Sequence, residues 1–159
     1  MTFKILFLCT GNYYRSRFAE ILFNYLAVSA SCSMNSTSRG VATELGIDNV
    51  GSISPHVLHR LKHLNIHDDS ATRLPIQVHE QDFRNANLII ALDEQEHLPM
   101  IHQRYPEWTK RIEYWNVPDL WAVTPDIALA NIEQKVHSLF DRLKDQACLR
   151  EKGGGIDKG

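Results

Sequence analysis

Residues 3–8, Phe-Lys-Ile-Leu-Phe-Leu, make a short apolar run without the polar alternation of a half-exposed strand. A strand of that kind is covered on both faces, which predicts a parallel sheet flanked by helices. A helical pattern follows after a short loop: between Arg15 and about Ser29, Ala19, Leu22, Phe23 and Leu26 recur at helical spacing. Met34 to Ser38 offers a second strand before Arg39 and Gly40. Ser54-Pro55 has the form of an N-cap with proline at the first helical position, opening a helix with Val57, Leu58, Leu61 and Leu64 on one face. A short helix around Glu80 to Asn85 precedes a third buried strand, Leu88 to Leu92, and Arg111 to Val117 offers a fourth. Thr124-Pro125-Asp126 repeats the cap-plus-proline start, and the helix after it carries Ile127, Ile132, Val136, Leu139, Phe140 and Leu143 as its apolar stripe. Strands alternating with helices predict an α/β three-layer sandwich, with a four-stranded parallel sheet and helices on both faces. In such sheets ligands sit beyond the carboxyl ends of the strands, where strand order reverses.

The chain's 159 residues fit one domain, at roughly 100–200 residues per domain. The domain is expected over residues 1–150, with the Gly-rich 151–159 as a flexible tail. A net charge of −2 gives no electrostatic case for nucleic acid or for an anionic membrane. No apolar window approaches a membrane span, and the start of the chain is too short and too weakly basic for a signal peptide. Three cysteines, an odd number, predict a reducing, cytoplasmic setting and no disulfide framework. The expected state is a monomer or weak dimer.

The loop after the first strand reads Cys9-Thr10-Gly11-Asn12-Tyr13-Tyr14-Arg15-Ser16. Gly11 and Asn12 are the residue types that most readily take positive φ and let a backbone curl. A loop curling into a helix start points several N–H groups inward and forms an anion nest, reinforced by the helix dipole. That field favours the thiolate of a cysteine placed in it. Arg15 brings a planar fork of donors matched to two phosphate oxygens, and Ser16 can donate a hydrogen bond to the sulfur.

Cys9 to Ser16 matches the C-x5-R-S/T signature, near the N-terminus, of the low-molecular-weight protein tyrosine phosphatases, which the chain therefore resembles. Phe18-Ala19-Glu20 looks like that family's helix start, and Ser38-Arg39-Gly40 resembles its Ser-Ala-Gly element. Asp82-Phe83 with Leu88 to Glu94 resembles its central strand and the acidic turn after it. Val117-Pro118-Asp119 stands where the family has the aspartate of its Asp-Pro motif, so the likeness covers about residues 3 to 147. It implies Cys9 as the nucleophile that forms a phosphocysteine, with Arg15 and the backbone N–H groups from Thr10 through Gly11, Asn12, Tyr13 and Tyr14 to Arg15 holding the phosphoryl oxygens. Asn12 would hold the strained turn with Ser16 and Ser38 in its network, and Asp119 would act as general acid and then base. Tyr13 and Trp121 would wall a slot for phosphotyrosine or a small aryl phosphate. No metal and no cofactor are implied.

The chain departs from the family pattern at four places. Tyr14 replaces a common second cysteine, and Arg17 replaces a proline and is expected to add positive charge near the mouth. Leu120 replaces the proline after the acid, predicting a less rigid loop. A supporting histidine has no clear counterpart, with Arg73 or His79 nearby.

Other readings stand beside these. Cys9 could be a small core residue, Asp119 a turn residue beside proline, and Ser38 the end of a strand. Trp108 and Trp115 are read as packing residues. His56, His59, His63 and His67 would share one arc only if their helix ran that far, and they are read as its solvent face rather than as metal ligands. Arsenate reductases on the same fold pass electrons through extra cysteines. Cys32 and Cys148 are the available ones, but residues 70 to 95 hold none of that class's mid-chain pair. A slow phosphate-loop binding protein is the third possibility.

Overall fold

The computed structural model describes residues 2–153, with side chains described to residue 148. Nine main elements follow in order: β1 (Phe3–Cys9), α1 (Arg15–Ser29), β2 (Met34–Gly40), α2 (Pro55–His63), α3 (Glu80–Asn85), β3 (Leu88–Ala91), α4 (Glu94–Arg104), β4 (Ile112–Tyr114) and α5 (Pro125–Gly153). The four strands form one parallel sheet in the order β2-β1-β3-β4. The chain steps from β1 to one side and then crosses to the other, so the switch point lies between β1 and β3, at the end of β1.

The missing alternation in β1 has the expected cause. Ile5, Phe7 and Cys9 pack into a core with Phe18, Phe23, Val136 and Phe140, whereas Leu6 and Leu8 join Phe83, Ile89, Ile101 and Trp108. Helices α1, α2 and α5 thus cover one face of the sheet, and α3 and α4 cover the other. Each fully buried Phe or Leu contributes about 1.5–3 kcal/mol of transfer free energy, which makes β1 the central beam of the molecule.

The sequence-predicted elements are present, with four corrections. Leu58 and Ile127 were expected on apolar stripes but are exposed, because the buried arcs of α2 and α5 centre on Val57 with Leu61 and on Ala128 with Leu129 and Ile132. Helix α4 has no counterpart in the sequence reading, since it is polar on average and carries Pro99 inside. Helix α5 runs to Gly153, so residues 151–153, expected in the tail, continue the helix, while 154–159 lie outside the described residues. Cys32 and Cys148 form a disulfide with Cα atoms 5.3 Å apart. The expectation of no disulfide is therefore corrected: α1 lies against α5, which brings the turn after α1 to the end of α5, and the odd cysteine, Cys9, stays free. Among the described residues no helix is long and apolar enough to cross a membrane.

Candidate active site

The end of β1 and the start of α1 are joined by one tight loop. Asn12 takes φ of 52° there, so the curl rests on asparagine, whereas Gly11 has ordinary φ. The Asn12 side chain is fully buried and ties the loop together: Nδ2 donates to Ser16 Oγ at 3.0 Å and to Ser38 Oγ at 2.9 Å. Its Oδ1 accepts from Ile76 N at 3.0 Å and from Arg73 Nη1 at 3.1 Å. Gly40, at the end of β2, is needed for space, because a Cβ there would stand 2.8 Å from the Thr10 carbonyl oxygen and 3.1 Å from Asn12 N.

Cys9 Sγ lies 2.8 Å from Ser16 Oγ. Helix α1 starts at Arg15 with no side-chain cap and no acidic residue in its first turn. Its first N–H groups have no carbonyl one turn back, so they remain donors for an anion. A cavity of about 330 Å³ opens over this loop, lined by Cys9, Thr10, Tyr13, Arg15, Asp119 and Trp121, among others. Tyr13 is pinned by its hydroxyl, which donates to the Val50 carbonyl at 2.6 Å. Trp121 is 83% exposed and stands at the rim.

Arg15 is 2% exposed and is held from two sides. Nη1 donates to the Val117 carbonyl at 2.9 Å, and Nη2 donates to Glu96 Oε2. Asp119 Oδ2 lies 3.7 Å from the same Nη2. Asp119 Oδ1 accepts from Leu120 N at 2.8 Å, a bond that a proline at 120 could not donate. The backbone N–H of Leu120 thus orients the Asp119 carboxylate.

Glu96 receives two further donors, Thr10 Oγ1 at 2.8 Å and His97 Nε2 at 2.7 Å. Burial alone would raise its pKa, but His97 and Arg15 together bring it down to about 2. His97 is fully buried, and burial holds its own pKa down. Its Nδ1 accepts from Asp93 N at 3.0 Å, which places the ring proton on Nε2, facing Glu96. Tyr14 packs its ring edge-on against His56, and its hydroxyl is enclosed without a partner. Burial, then Asp119, pushes the Tyr14 pKa up to about 12.

Arg17 corrects the sequence reading. It is fully buried, donates to the carbonyls of Ser52, Ser70 and Arg73, and pairs with Glu20 at 3.6 Å, so it braces the neighbouring loop and adds no charge to the mouth. Burial lowers its pKa, and the nearby Arg73 adds to this. Of the two candidates for the supporting position, Arg73 occupies it, contacting Asn12, Ser38 and Glu20. His79 instead caps α3. His56, His59, His63 and His67 are exposed, and α2 stops at His63 before the fourth. Trp108 and Trp115 are buried packing residues.

The structure therefore brings Cys9, Thr10, Asn12, Arg15, Ser16, Ser38 and Asp119 together as the sequence predicted. Glu96 and His97 were missed. The available signal was Asp93 three residues before Glu96, a helix-start pattern whose cap forms: Asp93 Oδ2 accepts from Glu96 N at 3.2 Å.

Comparison with known proteins identifies the family and the fold. A family model described as low molecular weight phosphotyrosine protein phosphatase matches residues 4–149. YfkJ from Bacillus subtilis superposes with a TM-score of 0.78 at 22% identity, covering 92% of this chain and 97% of its own. SP-PTP, a low molecular weight protein tyrosine phosphatase from Streptococcus pyogenes, gives 0.73 at 25% identity over 90% and 93%. The YwlE arginine phosphatase, from Bacillus subtilis, gives 0.73 at 22% identity over 90% and 97%. No curated protein sequence matches the chain. A family match over nearly the whole described chain, together with the shared fold, settles the class: the protein belongs to the low molecular weight phosphotyrosine protein phosphatase family.

Proposed function

We propose that the protein hydrolyses phosphotyrosine or related aryl phosphate monoesters through a phosphocysteine intermediate. One observation carries the reading: a free cysteine and a buried arginine at the two ends of one loop, and a carboxylate from a distant segment, line one cavity over an uncapped helix start. Cys9 as thiolate attacks phosphorus, and the bond to the aryl oxygen breaks. Asp119 gives its proton to the departing oxygen. Asp119 then takes a proton from water, whose oxygen attacks phosphorus and breaks the bond to sulfur. Arg15 and the amides of residues 10–15 hold the phosphoryl oxygens, Ser16 donates to the leaving sulfur, and Asn12 with Ser38 keeps the loop curled. Tyr13 and Trp121 flank the aromatic ring of a substrate that reaches the loop, and a shorter phosphoserine falls short.

Arsenate reduction is disfavoured by the position of the other cysteines. Phe3 N bonds to the Ser33 carbonyl, so Cys32 lies at the start of β1 while Cys9 ends it. At ~3.3 Å per residue β1 separates them by about 20 Å. A role limited to phosphate binding leaves Asp119 without a task. We read the enzyme as a monomer or weak dimer acting on a phosphoprotein or a small aryl phosphate. A cytoplasmic setting would keep Cys9 reduced, although the Cys32–Cys148 bond is unusual for that compartment.

The test is turnover of para-nitrophenyl phosphate. Wild type is expected to be active with an acidic optimum, since thiolate and protonated acid must coexist. Cys9→Ser should abolish turnover, and Asp119→Asn should slow it by about 10²–10⁴-fold. Full activity in Cys9→Ser contradicts the reading.

A further inference from the structure

We infer that Glu96, with its hydrogen-bond donor His97, is the standing counter-ion of Arg15, and that it positions the guanidinium for the reaction by holding its contact with Asp119 to a longer ion pair. The inference rests on the phosphatase reading above and adds residues that reading does not use.

Two carboxylates compete for the same nitrogen. Glu96 Oε2 accepts a hydrogen bond from Arg15 Nη2, while Asp119 Oδ2 makes only a longer ion pair with it, at 3.7 Å. Which of them wins decides the chemistry. An Asp119 paired directly with Arg15 would keep its charge and lose the proton it must deliver to the leaving group. It would also draw the guanidinium away from Cys9. Glu96 can be bound permanently because nothing asks it to change protonation state.

The protein builds Glu96 for that task. Its carboxylate oxygen collects donors from the phosphate loop (Thr10), from α1 (Arg15) and from its own helix (His97). His97 is a fixed donor, because the Asp93 N–H occupies Nδ1 and forces the proton onto Nε2. The side chains of Glu96 and Asp119 are 17% and 39% exposed, so the inner carboxylate is held and the outer one stays free to meet substrate. The charged and titratable groups facing Arg15 are Cys9 from β1, Tyr14 just before α1, Glu96 and His97 from α4, and Asp119 from the loop after β4.

Without Glu96, Arg15 turns to Asp119. Glu96→Ala should then lower kcat/KM for para-nitrophenyl phosphate by about tenfold or more, a part of the roughly 10²–10⁴-fold that a general acid supplies. The alkaline limb of its pH profile should move to lower pH, because the acid is drawn into an ion pair. The decisive readout is a double-mutant cycle. In an Asp119→Asn background there is no carboxylate to capture Arg15, so adding Glu96→Ala should cost less than about threefold. Glu96→Gln keeps an oxygen that accepts from Arg15 and should fall between wild type and Glu96→Ala, which preserves the test if the alanine variant folds poorly. Equal losses from Glu96→Ala with and without Asp119, or an unmoved alkaline limb, would reduce Glu96 to a packing residue. A wild type inert toward aryl phosphate removes the phosphatase reading itself, a different result from an active wild type whose cycle shows no coupling.

Discussion

The residues proposed to hold the phosphoryl group are contiguous in sequence, and several of those that brace them are not. Cys9 to Ser16 lie in one loop, so residue type and spacing expose them together. Glu96 is separated from Arg15 by 81 positions and Arg73 from Asn12 by 61. No local pattern links a buried arginine to a carboxylate on a helix across the sheet, so that layer becomes visible only in three dimensions. Arg17 shows the opposite error: a cation beside a phosphate loop reads as part of the mouth, yet three backbone carbonyls claim it. The Glu96 carboxylate also fixes how the site responds to acid. Its pKa falls from 4.5 unfolded to about 2 in the native protein, so the stability it contributes is complete above pH 4.5 and is lost as pH drops toward 2. A shift of that size corresponds to roughly 3 kcal/mol, and screening at a partly open carboxylate brings it to about 1–2 kcal/mol. Urea titrations should therefore find Glu96→Gln less stable than wild type at about pH 5, with the gap narrowing by about pH 3. A gap that widens on acidification contradicts the assignment.

Among the elements, β1 was legible as an unbroken apolar run and α1 by Ala19, Leu22, Phe23 and Leu26 recurring at helical spacing. The sheet order was not, since strands of similar composition carry no label for their neighbours. Helix α4 was hidden by its polarity and by Pro99, and with it the residues that hold Arg15. The two cysteines beyond the active site staple the turn after α1 to the end of α5 over a separation of 116 residues. Closing so long a loop restricts the unfolded chain and contributes about 2–5 kcal/mol to folding stability. The staple lies at the opposite end of β1 from the phosphate loop. Cys32→Ser with Cys148→Ser should therefore lower the urea midpoint and speed amide exchange in the last turns of α5, while kcat/KM for an aryl phosphate stays within about twofold of wild type. A large loss of turnover with an unchanged midpoint would mean that the pair serves the chemistry.

At the scale of the molecule, the topology explains why the candidate site gathers at one strand end. The strand order reverses beside β1, and every strand runs the same way, so the loops after β1, β3 and β4 emerge on one edge of the sheet. In the proposed reading these connections position Cys9 with Arg15, Glu96 at the start of α4, and Asp119, respectively. Composition gave no hint of an anionic ligand, because a net charge of −2 describes long-range attraction, whereas the proposed site relies on one arginine and a ring of amides. The most direct test of the central claim is rapid acid quench of wild type mixed with an aryl phosphate, followed by mass spectrometry of the peptide containing Cys9. The expected result is one phosphoryl group on Cys9, formed with a burst of aryl alcohol close to one equivalent of enzyme and absent from Cys9→Ser. Turnover with no burst and no phosphoryl group on that peptide would contradict it.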